Sequence, residues 1–241
     1  MSGSWSWRAA SAPGVAAVRS HWAPFLAIQL AAAALVVVYA QTPAVREWCT
    51  VIERIKVAGG IPFAFIAGAI AGGVIPEIAK ALTGRMGSPT RQWFAASSFN
   101  ALVYAMVGVQ VDLFYRFQTW CFGSGTDFQT LVVKTAVDMA IFTPVLSIPL
   151  AVLMFEWKRV GFDLRRMGPA FTGRFYLNSI VPALIPCWAF WIPILICVYS
   201  LPANLQFVFA LLAEAAWSIL FVFIATNGGQ PAGHQTVASE A

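Results

Sequence analysis

Long apolar stretches constrain this chain more than any other feature. A helix needs about 20 apolar residues to cross roughly 30 Å of hydrocarbon at about 1.5 Å per residue. Six windows meet that length: 22–42, 60–82, 93–118, 129–155, 174–200 and 203–226. Across the chain 59% of residues are hydrophobic and 10% are charged, against about 25% charged in an ordinary soluble domain. The fold class this predicts is all-α: a polytopic transmembrane helical bundle of about six helices, with four to six full crossings. The range reflects the fifth window, where Pro182, Pro186 and Pro193 interrupt the run and "YSLPAN" ties it to the sixth. No Gly/Ser/Pro-rich linker divides 22–226, so the bundle is read as one domain.

Charge placement orients it. Arg8, Arg19, Lys80, Arg85, Arg91, Lys158, Arg159, Arg165, Arg166 and Arg174 fall on the face of the N-terminus, and Arg46, Arg54, Lys56 and Arg116 on the other. Ten cations against four put both termini on the inside face. The basic segment 1–21 has Arg8, Arg19, several Ser and Ala and no acid, a composition open to two readings. It suits an organelle import signal, and its Trp residues also suit a helix lying at the membrane interface. The polar stretch 227–241 reads as a disordered tail.

Within the apolar windows a few charges stand out. Lys134 and Asp138 sit four apart in "VVKTAVDMAIFTPVL", about 8 and 14 Å into the fourth helix by helical rise. Asp112 and Arg116 stand at the corresponding end of the third. An antiparallel hairpin of these two helices would let Lys134 meet Asp112 or Asp138, forming either a structural clasp or part of a solute path. Glu214 lies about 16 Å into the sixth helix with no sequence-local cation, so it must face protein or water or be protonated. Asn100 and Asn178 are candidate partners for it.

Gly68 and Gly72, one turn apart in "GAIAGG", predict close approach of another helix. Glu77 and Lys80 are spaced to pair at a helix end. The two His, His21 and His234, lie outside the apolar windows, and Cys49, Cys121, Cys187 and Cys197 show no C-x-x-C spacing. Neither a catalytic triad, a zinc site nor a disulfide framework is implied. The chain is read as non-enzymatic and without cofactor. Its basic residues lie between apolar runs, where orientation signals belong, so nucleic acid is not an expected partner.

The C-terminal half follows a residue order found in a known family. In "YRFQTWCFGSGTDFQTLVVKTAVDMAIFTP", Tyr115, a Gly-containing loop, Lys134, Asp138 and Pro144 follow the family's order. In "CWAFWIPILICVYSLPANLQFVFALLAEAAWSIL", Trp188, Trp191, Pro193, Pro202 and Trp217 resemble its signature. The C-terminal half thus resembles the Mpv-seventeen and 22-kilodalton peroxisomal membrane protein family over roughly 105–222. It departs from the family in having "ILICVYS" where a Gln and an Asn-Phe pair are usual, Gln206 at an Arg position, and Glu214 with no counterpart.

The resemblance implies a small multi-helix protein of an organelle membrane, the mitochondrial inner membrane first, with peroxisomal and plastid membranes as alternatives. One function follows from it: a weakly selective small-solute channel lined by Asp112, Arg116, Lys134, Asp138 and Glu214. The other is a non-transporting accessory subunit of a larger membrane complex, packing its aromatic-rich surface against partner subunits, further copies of itself or lipid.

Overall fold

The structure, a computed structural model, describes the backbone of residues 7–84 and 90–227 and the side chains of 11–84 and 90–219. Arg85, the side chain of Arg8, the first six residues and the tail beyond 227 lie outside the described residues. The described residues form helices and no strands. Helix α1 spans Trp7–Ser20, α2 Trp22–Gln41, and α3 Pro43–Gly68, which runs on through a wide π-helical turn, Ala69–Val74, into α4, Ile75–Leu82. Then come α5 (Arg91–Phe122) and α6 (Phe128–Val137), which continues through a second π-helical segment, Asp138–Ser147, into α7 (Ile148–Arg159). A 3-10 stretch, Leu164–Phe171, leads to the short α8 (Gly173–Phe175), a third π-helical turn, Tyr176–Ile180, α9 (Val181–Tyr199) and α10 (Ala203–Asn227).

Five of these units, 22–41, 43–82, 91–122, 128–159 and 173–199, are long and apolar enough to cross a membrane, and the described apolar part of α10 makes a shorter sixth. The fold is a transmembrane-type helical bundle. Large apolar side chains on its outside, such as Leu26, Leu30 and Leu35 on α2, are exposed. That is the expected arrangement where lipid is the solvent.

Proline placement explains the π-helical turns. Each ends two residues before a proline: Val74 before Pro76, Ser147 before Pro149 and Ile180 before Pro182. A proline has no N–H to donate, and its ring clashes with the carbonyl four residues back. The preceding residue takes up the strain by reaching one further: Ile75, Ile148 and Val181 donate to the carbonyls of Ile70, Thr143 and Tyr176, five residues away.

The 43–82 unit and α5 run antiparallel, Gly68 meeting Gly108 and Gly73 meeting Ala101. The 43–82 unit lies against α5 so closely that a Cβ on Gly68 would sit 2.6 Å from the Tyr104 carbonyl oxygen, and one on Gly72 would collide with the Tyr104 ring. From the α5 side, Gly108 meets the Ala64 carbonyl in the same way. Gly68 and Gly72 therefore do face another helix, and Gly108 completes the contact. Near one end of this pair Trp93 donates to Glu77 at 3.0 Å, and Lys80 pairs with Glu77 at 2.8 Å.

Helix α9 crosses the middle of the molecule. Its Trp188 indole donates to the Met139 carbonyl at 2.9 Å, and Gln29 of α2 donates to the Ala189 carbonyl at 2.8 Å. Helix α1 packs along the first turns of α9: a Cβ on Gly14 would lie 2.6 Å from the Pro182 carbonyl. This places the basic N-terminal segment beside the end of the bundle that carries the 160–173 connection, on the same face as the charge pattern predicts. The described part of that segment is a helix docked on the bundle.

One boundary needs correction. The sequence reading starts the second membrane helix at 60, but the helix starts at Pro43, and Gly60 (φ 52°) marks a kink within it. Proline at the first helical position is a regular start signal. The added turns carry Lys56 into the protein interior at 6% exposure, so it does not serve as a loop charge orienting the chain.

Candidate intramembrane site

Asp112 is fully buried on α5, and Lys56 approaches it from α3 at 3.0 Å and Arg116 from its own helix at 2.7 Å. Both contacts are ion pairs by distance, and neither has hydrogen-bond geometry. Arg116 is half exposed, so the group joins a buried pair to the wet end of α5.

The expected clasp with Lys134 does not form. Lys134 is fully buried, no carboxylate lies within salt-bridge distance of its Nζ among the described residues, and the Nζ has no hydrogen-bond partner. It stands 5.9 Å from the centre of the Tyr199 ring. Tyr199 is the reason. Its ring faces the ammonium while its hydroxyl donates to Asp138 at 2.6 Å and accepts from Gln118 at 2.6 Å. Thr143, five residues on, also donates to Asp138 at 3.3 Å, an approach suited to the π-helical turn that begins there. The single charge cluster expected from the sequence is thus two groups, one on Asp112 and one on Asp138.

Asp138 lines a partly open cavity of about 210 Å³ between α1, α5, the second π-helical segment, α7, α9 and α10. Glu214 lines the same cavity. The two carboxylates lie 76 residues apart in sequence and come from different helices, each well inside its helix. Asp138 is anchored by Tyr199 and Thr143. Glu214 makes no hydrogen bond or ion pair among the described residues, and neither Asn100 nor Asn178 bonds to it. The rest of the wall is largely apolar and aromatic, with Tyr115, Phe142, Trp191 and Trp217 among its members. Asp112, Arg116 and Lys134 are not part of it.

The residues that resemble the family signature have structural places. Trp188 ties α9 to the second π-helical segment, and Pro144, within that segment, gives its carbonyl to the Tyr176 hydroxyl at 2.9 Å. Pro193 lies inside α9, and Pro202 accepts from the Leu205 N–H at 2.8 Å in the turn into α10. Trp217 packs edge-on against Phe25 and tilted against Phe190, at 5.8 and 4.7 Å between ring centres.

Sequence reasoning missed Lys56, Tyr199, Gln118 and Thr143. For Lys56 a signal exists, the helix start at Pro43. For the others, one sequence contains none. No family model, curated protein or solved structure matches the chain. The fold and the cavity define an integral membrane protein of several apolar helices with a carboxylate-bearing cavity among them.

Proposed function

We propose that the chain is a non-catalytic integral membrane protein that admits a small solute into the Asp138–Glu214 cavity, as a weakly selective channel does. The observation that carries this reading is the pair of carboxylates lining one cavity of the bundle, neither of them ion-paired among the described residues. A charge near the bilayer centre costs about 2.5–3.5 kcal/mol even on lenient scales, and such groups usually face a water-filled space or a substrate path. The sequence resemblance to the Mpv-seventeen and peroxisomal membrane protein family supports the same reading, and with it an organelle membrane, the mitochondrial inner membrane first.

The accessory-subunit reading draws on α2, whose exposed Leu26, Leu30, Leu35, Val37 and Val38 offer a surface for another subunit. Lipid covers such a surface equally well, whereas the cavity supports the first reading.

Vesicles holding purified protein and entrapped solutes of graded size test it. The wild type should release the smaller solutes, and Ala151→Trp, which places an indole into the cavity wall, should retain them. No release from folded wild-type protein, or equal release from both, contradicts the reading.

A further inference from the structure

We infer that the cavity is built to take a small organic cation, an aryl- or alkylammonium ion. The inference rests on the solute-admitting role proposed above and names the chemical class of the solute.

Three features of the wall converge on it. The first is charge. Asp138 and Glu214 both line the cavity, and no Lys, Arg or His does among the described residues. The nearby cations are engaged elsewhere: Lys56 and Arg116 hold Asp112, and Lys134 stands over the Tyr199 ring. An anionic solute would therefore meet two carboxylates and no compensating cation.

The second is the aromatic content. Tyr115, Phe142, Trp191 and Trp217 contribute to the wall. Aromatic faces attract cations through the ring quadrupole, and Trp does so most strongly. A hydrated inorganic cation gains little here. Calcium takes six to eight oxygen ligands and magnesium keeps several waters, whereas this wall is mostly carbon. No group of three or more His, Cys, Asp or Glu side chains capable of holding a metal occurs among the described residues. An organic ammonium ion suits a surface that is apolar over most of its area and anionic at two points.

The third is size and division of labour. The cavity of about 210 Å³ exceeds the roughly 150 Å³ that accommodates benzene in an engineered apolar cavity. One ring with a short ammonium arm is the matching scale. Asp138 is already satisfied by the Tyr199 and Thr143 hydroxyls, which fix its direction. Glu214 has no partner in hydrogen bond or ion pair among the described residues, which leaves it for the ligand. The two acids thus have distinct roles, one a fixed anionic wall and the other the direct counter-ion.

The test uses the full chain in lipid nanodiscs and two probes of one shape: benzyltrimethylammonium and its uncharged isostere neopentylbenzene. Binding is read from tryptophan fluorescence and checked by calorimetry, with empty nanodiscs correcting for partition into lipid. The cation should bind saturably and more tightly than the isostere. Glu214→Gln should weaken the cation roughly tenfold, the scale of one lost charge-assisted contact, and leave the isostere unchanged. Asp138→Asn, which still accepts from Tyr199, should weaken the cation as well, and it serves if Glu214→Gln does not fold. Equal binding of both probes, unaffected by either substitution, overturns the cation assignment but leaves a solute-admitting cavity. If folded wild-type protein binds neither probe, and Ala151→Trp leaves solute release unchanged, both the assignment and the reading beneath it fall.

Discussion

Lys56 and Asp112 meet at 3.0 Å with side chains 7% and 1% exposed, joining the first half of the 43–82 helix to α5. Removing one partner of a buried pair costs about 3–5 kcal/mol, whereas replacing both with apolar groups of similar size costs little. Lys56→Met should therefore lower the thermal midpoint markedly, and adding Asp112→Leu should recover part of the loss. Arg116, half exposed on the same carboxylate, tempers the single substitution without replacing the interhelical link. Equal stability of Lys56→Met and wild type contradicts the link.

Lys134 gives the opposite expectation. A buried ammonium with no hydrogen-bond or salt-bridge partner carries a desolvation cost that attraction to the Tyr199 ring only partly offsets. Lys134→Met should leave the thermal midpoint unchanged or raise it. A loss as large as that of Lys56→Met would show that the ammonium has a compensating partner.

The hydroxyl of Tyr199 links Gln118 to Asp138, both buried. Tyr199→Phe keeps the ring beneath Lys134 and deletes that link, leaving a buried amide and a buried carboxylate each short of a partner. The expected cost is about 1–3 kcal/mol, read by denaturant unfolding. A neutral substitution contradicts the network.

Asp127 lies just outside the membrane-spanning segment and caps α6, accepting from the Thr130 N–H at 3.1 Å and the Thr130 hydroxyl at 2.7 Å. The Thr130 hydroxyl first, then its amide, hold this carboxyl below the usual carboxylate range. A pKa lower in the folded state than in the unfolded one contributes stability above the unfolded value, about 3.9, and loses it as pH falls through the folded value. The gap in thermal midpoint between wild type and Asp127→Ala should be open at pH 6 and narrow toward pH 3. A gap that is constant with pH contradicts the cap's charged character.

The helices were legible because each apolar window has the length a bilayer requires, and Gly68 and Gly72 were legible because close helix approach demands missing side chains. The start of α3 was not read, although Pro43 signals it, because 43–59 carries Arg46, Glu53, Arg54 and Lys56 and so looks like a polar connection. The error hid Lys56 from Asp112 and left Lys134 as the apparent partner. The sequence offered Asp138 and Glu214 as lining residues but did not separate them from Asp112, Arg116 and Lys134, which lie outside the cavity. Asp138 and Glu214 line one cavity in a fold held together by contacts between distant segments, which sequence spacing does not carry; only the π-helical turns are marked locally, by Pro76, Pro149 and Pro182.

The central claim is that Glu214 faces a space open to small solutes within the apolar bundle. Thiol accessibility tests it most directly. With Cys49, Cys121, Cys187 and Cys197 replaced by Ser, a single Glu214→Cys substitution is treated in vesicles with a small cationic methanethiosulfonate reagent. Leu212→Cys, an exposed position on the same helix, serves as the lipid-facing control. Modification at 214, blocked by Ala151→Trp and absent at 212, is the predicted result. A folded protein unreactive at 214 would contradict the account.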